Sequence, residues 1–191
     1  DFGVETRGAD EVPFVVLESV RGRTLRSVLR HCRRISPQRA VSICLQVLRA
    51  LGEAHDLGIV HSDVKPENVL VSHECVGDEC VKLVDYGACW IRSREAVEGE
   101  RPRPGTPHYV APEVIRGQTP TPAADIYAVG AVLYESIAGT RPYEASDPKD
   151  ALKKALREAP RPLSSLVPVS PALERVVTRA LTPDPMARYA G

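Results

Sequence analysis

The sequence lacks an excess of charge of either sign. Its 191 residues contain 25 Lys and Arg against 25 Asp and Glu, so the formal net charge at pH 7 is zero. A general nucleic-acid-binding module usually carries a basic surplus, so this balance argues against a nucleic-acid partner. Hydrophobic residues at 43% and charged residues at 26% are typical of a folded globular chain. The sequence therefore predicts one globular domain or little more.

Long apolar runs and an N-terminal leader are also lacking. No stretch reaches the roughly 18 consecutive apolar residues of a membrane-spanning helix. Residues 1–5 have none of the features of a signal peptide, so we expect no membrane segment in this chain and a cytoplasmic location. The sequence begins at Asp1 rather than at Met, which indicates processing or a longer parent protein.

Cysteine is too sparse for a disulfide framework, and this favours a reducing compartment. The five cysteines stand at scattered positions: Cys32, Cys44, Cys75, Cys80 and Cys89. Only Cys75 and Cys80 are close neighbours, and we interpret them as two thiols near the tip of a hairpin. A metal or redox clip is the alternative, but no second Cys/His pair stands at zinc-like spacing.

Strand patterns precede helix patterns along the chain. Short apolar runs predict strands at 2–6, 12–18, 59–60, 69–71 and 81–84, the first two paired as a hairpin. Capping and periodic patterns predict helices from Thr24, from Ser36 to Gly58, and at 122–138, 146–158 and 170–181. Residues 86–110 have little periodicity, and a loop of that length is typically functional. This order predicts an α+β fold dominated by helices.

One polar segment has a spacing that suits phosphoryl transfer. Asp63 can accept or orient a hydroxyl proton, and Lys65 can neutralise the charge of a transferring phosphate. Asn68 offers an amide oxygen to Mg²⁺. Asp85 follows the next predicted strand, where a metal-binding acid can reach phosphates. The sequence therefore predicts Asp63 and Lys65 as catalytic residues and Asn68 and Asp85 as metal ligands.

These residues belong to a set of motifs that closely resembles the C-terminal lobe of eukaryotic-like Ser/Thr protein kinases, especially the bacterial Hanks-type branch. The matching motifs are His61-Ser62-Asp63 with Asn68, Asp85-Tyr86-Gly87, Gly105-Thr106-Pro107-His108-Tyr109, Ala111-Pro112-Glu113 and the segments around Asp125 and Arg188. The resemblance implies that Asp125 holds the backbone of the catalytic loop and that Arg188 pairs with Glu113. It also implies that His61 braces the loop rather than reacting.

The resemblance implies a protein-kinase-like fold, with a mainly helical C-lobe and remnant strands of the N-lobe. Residues 1–17 would be N-lobe strands, 18–24 the hinge and 25–191 the C-lobe. The catalytic loop would span 61–68 and the activation segment 85–113. The domain would be truncated at both ends, with the rest of the N-lobe upstream and the final helix missing.

The resemblance also implies the ligands. The backbone of Glu18 and Val20 would face the adenine ring of ATP, and Leu70 would pack beneath it. ATP and Mg²⁺ are therefore the expected cofactors, and a protein with a Ser or Thr acceptor is the expected substrate. The tripeptide 1–3 spells the metal-binding motif, but it precedes the hinge and we interpret it as part of a strand.

The sequence departs from the family pattern at three points. Ser62 stands where the family has an arginine that binds a phosphorylated activation-segment residue, and Pro102 stands at the usual phosphorylated position. We therefore expect that phosphorylation of this segment is not the activating switch. Before the hinge there is no Gly-rich loop and no ATP-positioning lysine with its partner glutamate. The 191-residue polypeptide alone is thus expected to bind ATP weakly and to be inactive.

Two other functions remain as alternatives to a Ser/Thr protein kinase. A pseudokinase or regulatory docking fragment would use the lobe only as a binding surface. The intact Asp63, Asn68 and Asp85 argue against that alternative, whereas the missing upper lobe favours it. A small-molecule phosphotransferase would share the catalytic loop but would lack the docking loop around Thr106 and the Ala-Pro-Glu motif.

Overall fold

The structure is a computed structural model that describes residues 2–7, 10–72, 79–86, 90–91, 106–145 and 147–190. Among these residues, six α-helices accompany three small antiparallel sheets. The predicted α+β class, with helices dominating, is confirmed. Within the described ranges, every helix falls short of the length or the apolar character that a bilayer span demands.

The chain begins with an antiparallel hairpin, as predicted. Strand β1 (Phe2–Arg7) pairs with β2 (Asp10–Val15), which ends three residues before the predicted end of that strand. Several apolar side chains of this region face solvent, among them Phe2 at 84% and Leu17 at 78% exposure. The hairpin therefore lies outside the main hydrophobic core.

The first two helices begin where the sequence predicts. Helix α1 (Leu25–Cys32) is capped by Thr24, and helix α2 (Pro37–Asp56) is capped by Ser36, whose hydroxyl accepts the N–H of Arg39. Pro37 suits the first helical position because a backbone N–H at that position, which proline lacks, would have no helical partner. Gly58, with φ of 75°, follows α2 in the left-handed conformation that commonly ends helices.

Two small sheets flank the segment 61–68. Strands β3 (Arg23–Thr24), β5 (Val69–Ser72) and β6 (Cys80–Leu83) form one sheet in the order β3-β5-β6, and β3 occupies the last two residues of the predicted hinge. Strand β4 (Ile59–Val60) pairs with β7 (Trp90–Ile91). The prediction of an irregular segment at 86–110 was wrong for β7, because two residues are too few to show a period. The tip of the β5–β6 hairpin, including Cys75, lies outside the described residues.

The second half of the described chain is helical. Its α-helices are α3 (Pro112–Ile115), α4 (Pro122–Ala138), α5 (Pro148–Arg157) and α6 (Pro171–Ala180). Short 3₁₀ turns occupy Leu163–Ser165 and Pro185–Ala187. Helix α5 begins two residues later than predicted because the side chain of Asp147 caps it by accepting the N–H of Asp150.

Helix α4 is the centre of the core. Every residue from Ala124 to Ile137 is buried, and α2 and α6 pack against it. At Gly130 helix α6 comes so close that an added β-carbon would lie 2.8 Å from the β-carbon of Ala180. Because α4 is held on both sides, its polar side chains are fixed supports for neighbouring loops.

Candidate active site

The loop at 61–68 is anchored by one buried carboxylate of α4. Asp125, 1% exposed, accepts the backbone N–H of His61 on Oδ2 and that of Ser62 on Oδ1, each at 2.9 Å. The ring of His55 also lies within hydrogen-bonding distance, with Nε2 at 2.8 Å from Oδ2. These contacts hold Ser62 at φ of 66°, a left-handed conformation that favours glycine. The implied role of Asp125 is confirmed, whereas the contact with His55 was not predicted.

His61 connects this loop to the strand end that precedes Asp85. Its Nδ1 accepts the N–H of Asp63 at 3.3 Å, so Nε2 carries the proton and donates to the carbonyl of Val84 at 3.1 Å. The imidazole also lies 4.5 Å from the ring of Tyr86, centroid to centroid. His61 is buried, and these contacts fit the bracing role that the resemblance implies.

The carboxylate of Asp63 is surrounded by donors. Oδ1 accepts both the N–H and the hydroxyl of Thr106, each at 3.0 Å. Oδ2 accepts Lys65 Nζ at 2.5 Å and Asn68 Nδ2 at 3.4 Å. Burial alone raises the pKa of Asp63, but the hydrogen bonds from Lys65 and Thr106 outweigh it and hold the pKa below its usual range. Asp63 is therefore an ionised carboxylate near neutral pH.

The two predicted metal ligands have oxygen atoms that suit Mg²⁺. Asn68 Nδ2 donates to the backbone carbonyl of Asp63 at 2.9 Å, and this fixes the amide with Oδ1 as its ligand atom. The N–H of Val84 donates to the carbonyl of Asn68 at 2.9 Å. Asp85 therefore directly follows a residue that is hydrogen-bonded to the backbone of Asn68. Asp85 itself is exposed and has φ of 67°. One carboxylate and one amide oxygen fit Mg²⁺, which usually takes one or two carboxylates together with phosphate and water oxygens.

The predicted nucleotide-facing residues lie on two neighbouring segments. The carboxylate of Glu18 accepts Lys82 Nζ at 2.6 Å. Lys82 stands opposite Leu70 in the β5–β6 ladder, so this ion pair connects the segment of Glu18 to the sheet that carries Leu70. Val20 is half-buried two residues beyond Glu18. The sequence did not predict the contribution of Lys82.

The implied pair of Arg188 and Glu113 is confirmed. Two guanidinium nitrogens of Arg188 donate to the two carboxylate oxygens of Glu113, at 2.6 and 2.7 Å. Arg188 also donates to the backbone carbonyls of Ala123, Thr182 and Pro183. Both side chains are buried, so the pair is architectural rather than reactive.

Sequence reasoning missed two contacts that shape the site. The docking-loop resemblance pointed to Thr106, but not to its hydrogen bonds with Asp63, which lies 43 residues earlier. Arg26 was missed altogether, although its guanidinium binds Glu135, 109 residues later. No local period or spacing links residues so far apart. Only the pairing of these segments in the fold brings them together.

Comparison with known proteins places relatives along nearly the whole chain. The family model for the protein kinase domain matches residues 5–190. The chain is 36% identical over 197 residues to the serine/threonine-protein kinase pkn3 of Myxococcus xanthus, covering 100% of this chain and 36% of that relative. It is 35% identical over 181 residues to the serine/threonine-protein kinase PknB of Mycolicibacterium smegmatis, covering 93% of this chain and 28% of that relative. It thus spans about a third of the length of these curated relatives, 36% and 28% respectively.

Proposed function

The chain belongs to the protein kinase domain family, and from this premise we propose that it carries the transfer machinery of a Ser/Thr protein kinase. The reaction would move the γ-phosphoryl group of ATP to a Ser or Thr hydroxyl of a protein. The observation that best supports this proposal is the ionised carboxylate of Asp63, held between Lys65 and Thr106 with Asn68 beside it.

In this proposal Asp63 orients the acceptor hydroxyl and takes its proton. An ionised carboxylate offers about four acceptor positions, and Thr106, Lys65 and Asn68 direct donors at all of them. A substrate hydroxyl therefore has to displace one donor. The 3.4 Å hydrogen bond from Asn68 is the longest and therefore the weakest of the four, so it is the one that a substrate hydroxyl displaces most easily. Lys65, already at the carboxylate, would supply positive charge beside the transferring phosphoryl group.

The nucleotide side of the proposal uses the backbone of Glu18 and Val20 for the adenine edge and Leu70 for its face. Asn68 and Asp85 would hold Mg²⁺ through one oxygen each. When bound, Mg²⁺ neutralises phosphate charge. The fixed amide of Asn68 supports this assignment because its orientation requires no rearrangement when a cation arrives.

The family also suggests how the chain is divided. We assign residues 1–17 to the smaller lobe, 18–24 to the hinge and 25–191 to the larger lobe. The Gly-rich loop and ATP-positioning lysine, which this sequence does not contain, would come from the rest of the smaller lobe. We place the domain in the cytoplasm because its five cysteines stand at scattered spacings that do not suit a disulfide framework.

The test is phosphoryl transfer by the natural full-length protein. We expect Mg²⁺-dependent transfer from γ-labelled ATP to a protein acceptor, with the label recovered on Ser or Thr after hydrolysis. Label on Tyr alone would contradict the substrate class. Binding of Mg·ATP without any transfer would instead support the pseudokinase alternative.

A further inference from the structure

Arg26, the second residue of α1, makes a set of polar contacts that the proposed chemistry does not use. Its Nε donates to Glu67 at 2.8 Å and its Nη1 donates to Glu135 at 2.7 Å, while Nη2 contacts the hydroxyl of Tyr109. Its backbone N–H donates to the carbonyl of Pro66 at 2.9 Å. One residue thus joins α1, the loop at 61–68, the segment at 106–109 and helix α4.

The contacts of Arg26 with Glu135 and Tyr109 are largely desolvated and support one another, whereas Glu67 is 42% exposed. The side chains of Arg26 and Glu135 are 12% and 9% exposed, and the hydroxyl of Tyr109 donates to Glu135 at 2.6 Å. Burial alone lowers the pKa of Arg26, but Glu135, Tyr109 and Glu67 outweigh it, so the guanidinium stays charged. Charge-assisted hydrogen bonds to a planar guanidinium are strong and geometrically specific. Arg26 is therefore a rigid connector between these elements.

Two sets of contacts connect Arg26 to Asp63. On one side, Pro66 and Glu67 belong to the same loop as Asp63. On the other side, the N–H of Tyr109 donates to the carbonyl of Thr106 at 2.9 Å and closes a tight turn. Thr106 in turn binds Asp63 through its N–H and its hydroxyl.

We propose that Arg26 is a positioning residue for the protein acceptor: it sets the segment at 106–109 against the catalytic loop and, through Thr106, orients Asp63. The inference rests on the proposed kinase function. In the described part of the chain, its side chain bonds to Glu67, Tyr109 and Glu135, not to the nucleotide-facing residues. Arg26 therefore acts on the acceptor side and not on ATP binding.

The kinetic test compares Arg26→Met, Arg26→Lys and Arg30→Met in the natural full-length protein. Arg30 is the matched control because it is exposed on α1, one turn further along. We expect Arg26→Met to lower kcat/KM for a protein acceptor by about ten- to a hundredfold, the scale of a small misplacement at a reacting centre. The Kd for Mg·ATP should not change. Arg26→Lys should recover part of the loss, because lysine keeps the charge but not the planar fork.

A second measurement needs neither catalysis nor a large change of the core. Tyr109→Phe removes only one hydroxyl, so it keeps the inference testable if Arg26→Met does not fold. We expect faster amide hydrogen exchange at Thr106 in both Arg26→Met and Tyr109→Phe, with the amides of α4 unchanged. Combining the two substitutions should add little to the loss in kcat/KM, because both remove the same connection.

The outcomes separate this inference from the proposed function. Without phosphoryl transfer by the wild-type protein the proposed function fails, and the exchange at Thr106 then decides whether Arg26 positions this segment. If transfer occurs but Arg26→Met matches Arg30→Met in kcat/KM and in exchange at Thr106, the positioning role is overturned. An equal loss of Mg·ATP affinity in Arg26→Met would overturn the acceptor-side assignment.

Discussion

Arg188 and Glu113, 75 residues apart in sequence, form two side-chain hydrogen bonds of 2.6 and 2.7 Å inside the protein. Their side chains are 0% and 4% exposed. The pair connects the 3₁₀ turn near the end of the chain to α3, the helix that follows the segment at 106–109. It therefore fixes the helix that follows the active-site segment, without taking part in chemistry.

Breaking this pair should destabilise the fold strongly. Glu113→Gln leaves the guanidinium of Arg188 buried without its counter-charge, and such a loss typically costs about 3–5 kcal/mol of the free energy of unfolding. Chemical denaturation measures the change. The control is Arg175→Met at an exposed position of α6, expected within about 0.5 kcal/mol of wild type. Equal effects of the two substitutions would contradict the architectural role.

Two helical glycines should respond to alanine in opposite directions. A β-carbon at Gly130 would lie 2.8 Å from the β-carbon of Ala180, so Gly130→Ala forces α4 and α6 apart and should cost about 1–3 kcal/mol. At Gly52 an added β-carbon would meet no atom within 4 Å other than its chain neighbours and the backbone of its own helix, so Gly52→Ala should stabilise α2 by about 0.5–1 kcal/mol. Thermal denaturation of both variants tests the contrast, and a stabilising Gly130→Ala would show that the close approach is wrong.

The pH dependence of the reaction should depend on Lys65. The folded-state pKa of Asp63 lies below its unfolded value, so its contribution to stability and its action as a base are present near neutral pH and are lost as pH falls through the folded pKa. Lys65→Met removes the strongest of the stabilising hydrogen bonds and should move the acidic limb of the kcat/KM profile to higher pH. Thr106→Val, which keeps the backbone N–H, should move it less. A limb that stays in place in Lys65→Met would contradict the assigned base.

Activity should not require phosphorylation of the activation segment. The resemblance to the family implies that Pro102 stands at the position that is usually phosphorylated. The hydroxyls between Asp85 and Thr106 belong to Tyr86 and Ser93. Phosphatase treatment and Ser93→Ala are therefore expected to leave kcat/KM unchanged. Phosphate mapping of the active natural protein supplies the check. A stoichiometric phosphate in this segment that activity requires would overturn the expectation.

Local chemistry made much of this fold predictable. Ser36 and Pro37 mark the start of α2 because a capping hydroxyl and a missing N–H act within one turn. The start of α5 was harder to predict, since Ser146 and Asp147 both offer capping side chains in the sequence, and the structure shows that Asp147 caps the helix. Strand β7 was missed because its pairing with β4, and not its own two residues, defines it.

The site was predictable to the extent that its residues are close in sequence. Asp63, Lys65 and Asn68 lie within six positions, and the structure joins them by hydrogen bonds. The contacts of Asp63 with Thr106 and of Arg26 with Glu135 span 43 and 109 residues. Such contacts depend on how α1, α4 and the loops pack, and no spacing in the sequence encodes that arrangement.

The central claim is that Asp63 is the catalytic base of phosphoryl transfer to Ser or Thr. The most direct measurement is single-turnover transfer by the natural full-length Asp63→Asn variant, with Mg·ATP binding measured on the same preparation. We expect binding close to wild type and a transfer rate lowered by about 10²–10⁴-fold, the usual contribution of a positioned general base. Transfer at the wild-type rate in Asp63→Asn would contradict the account.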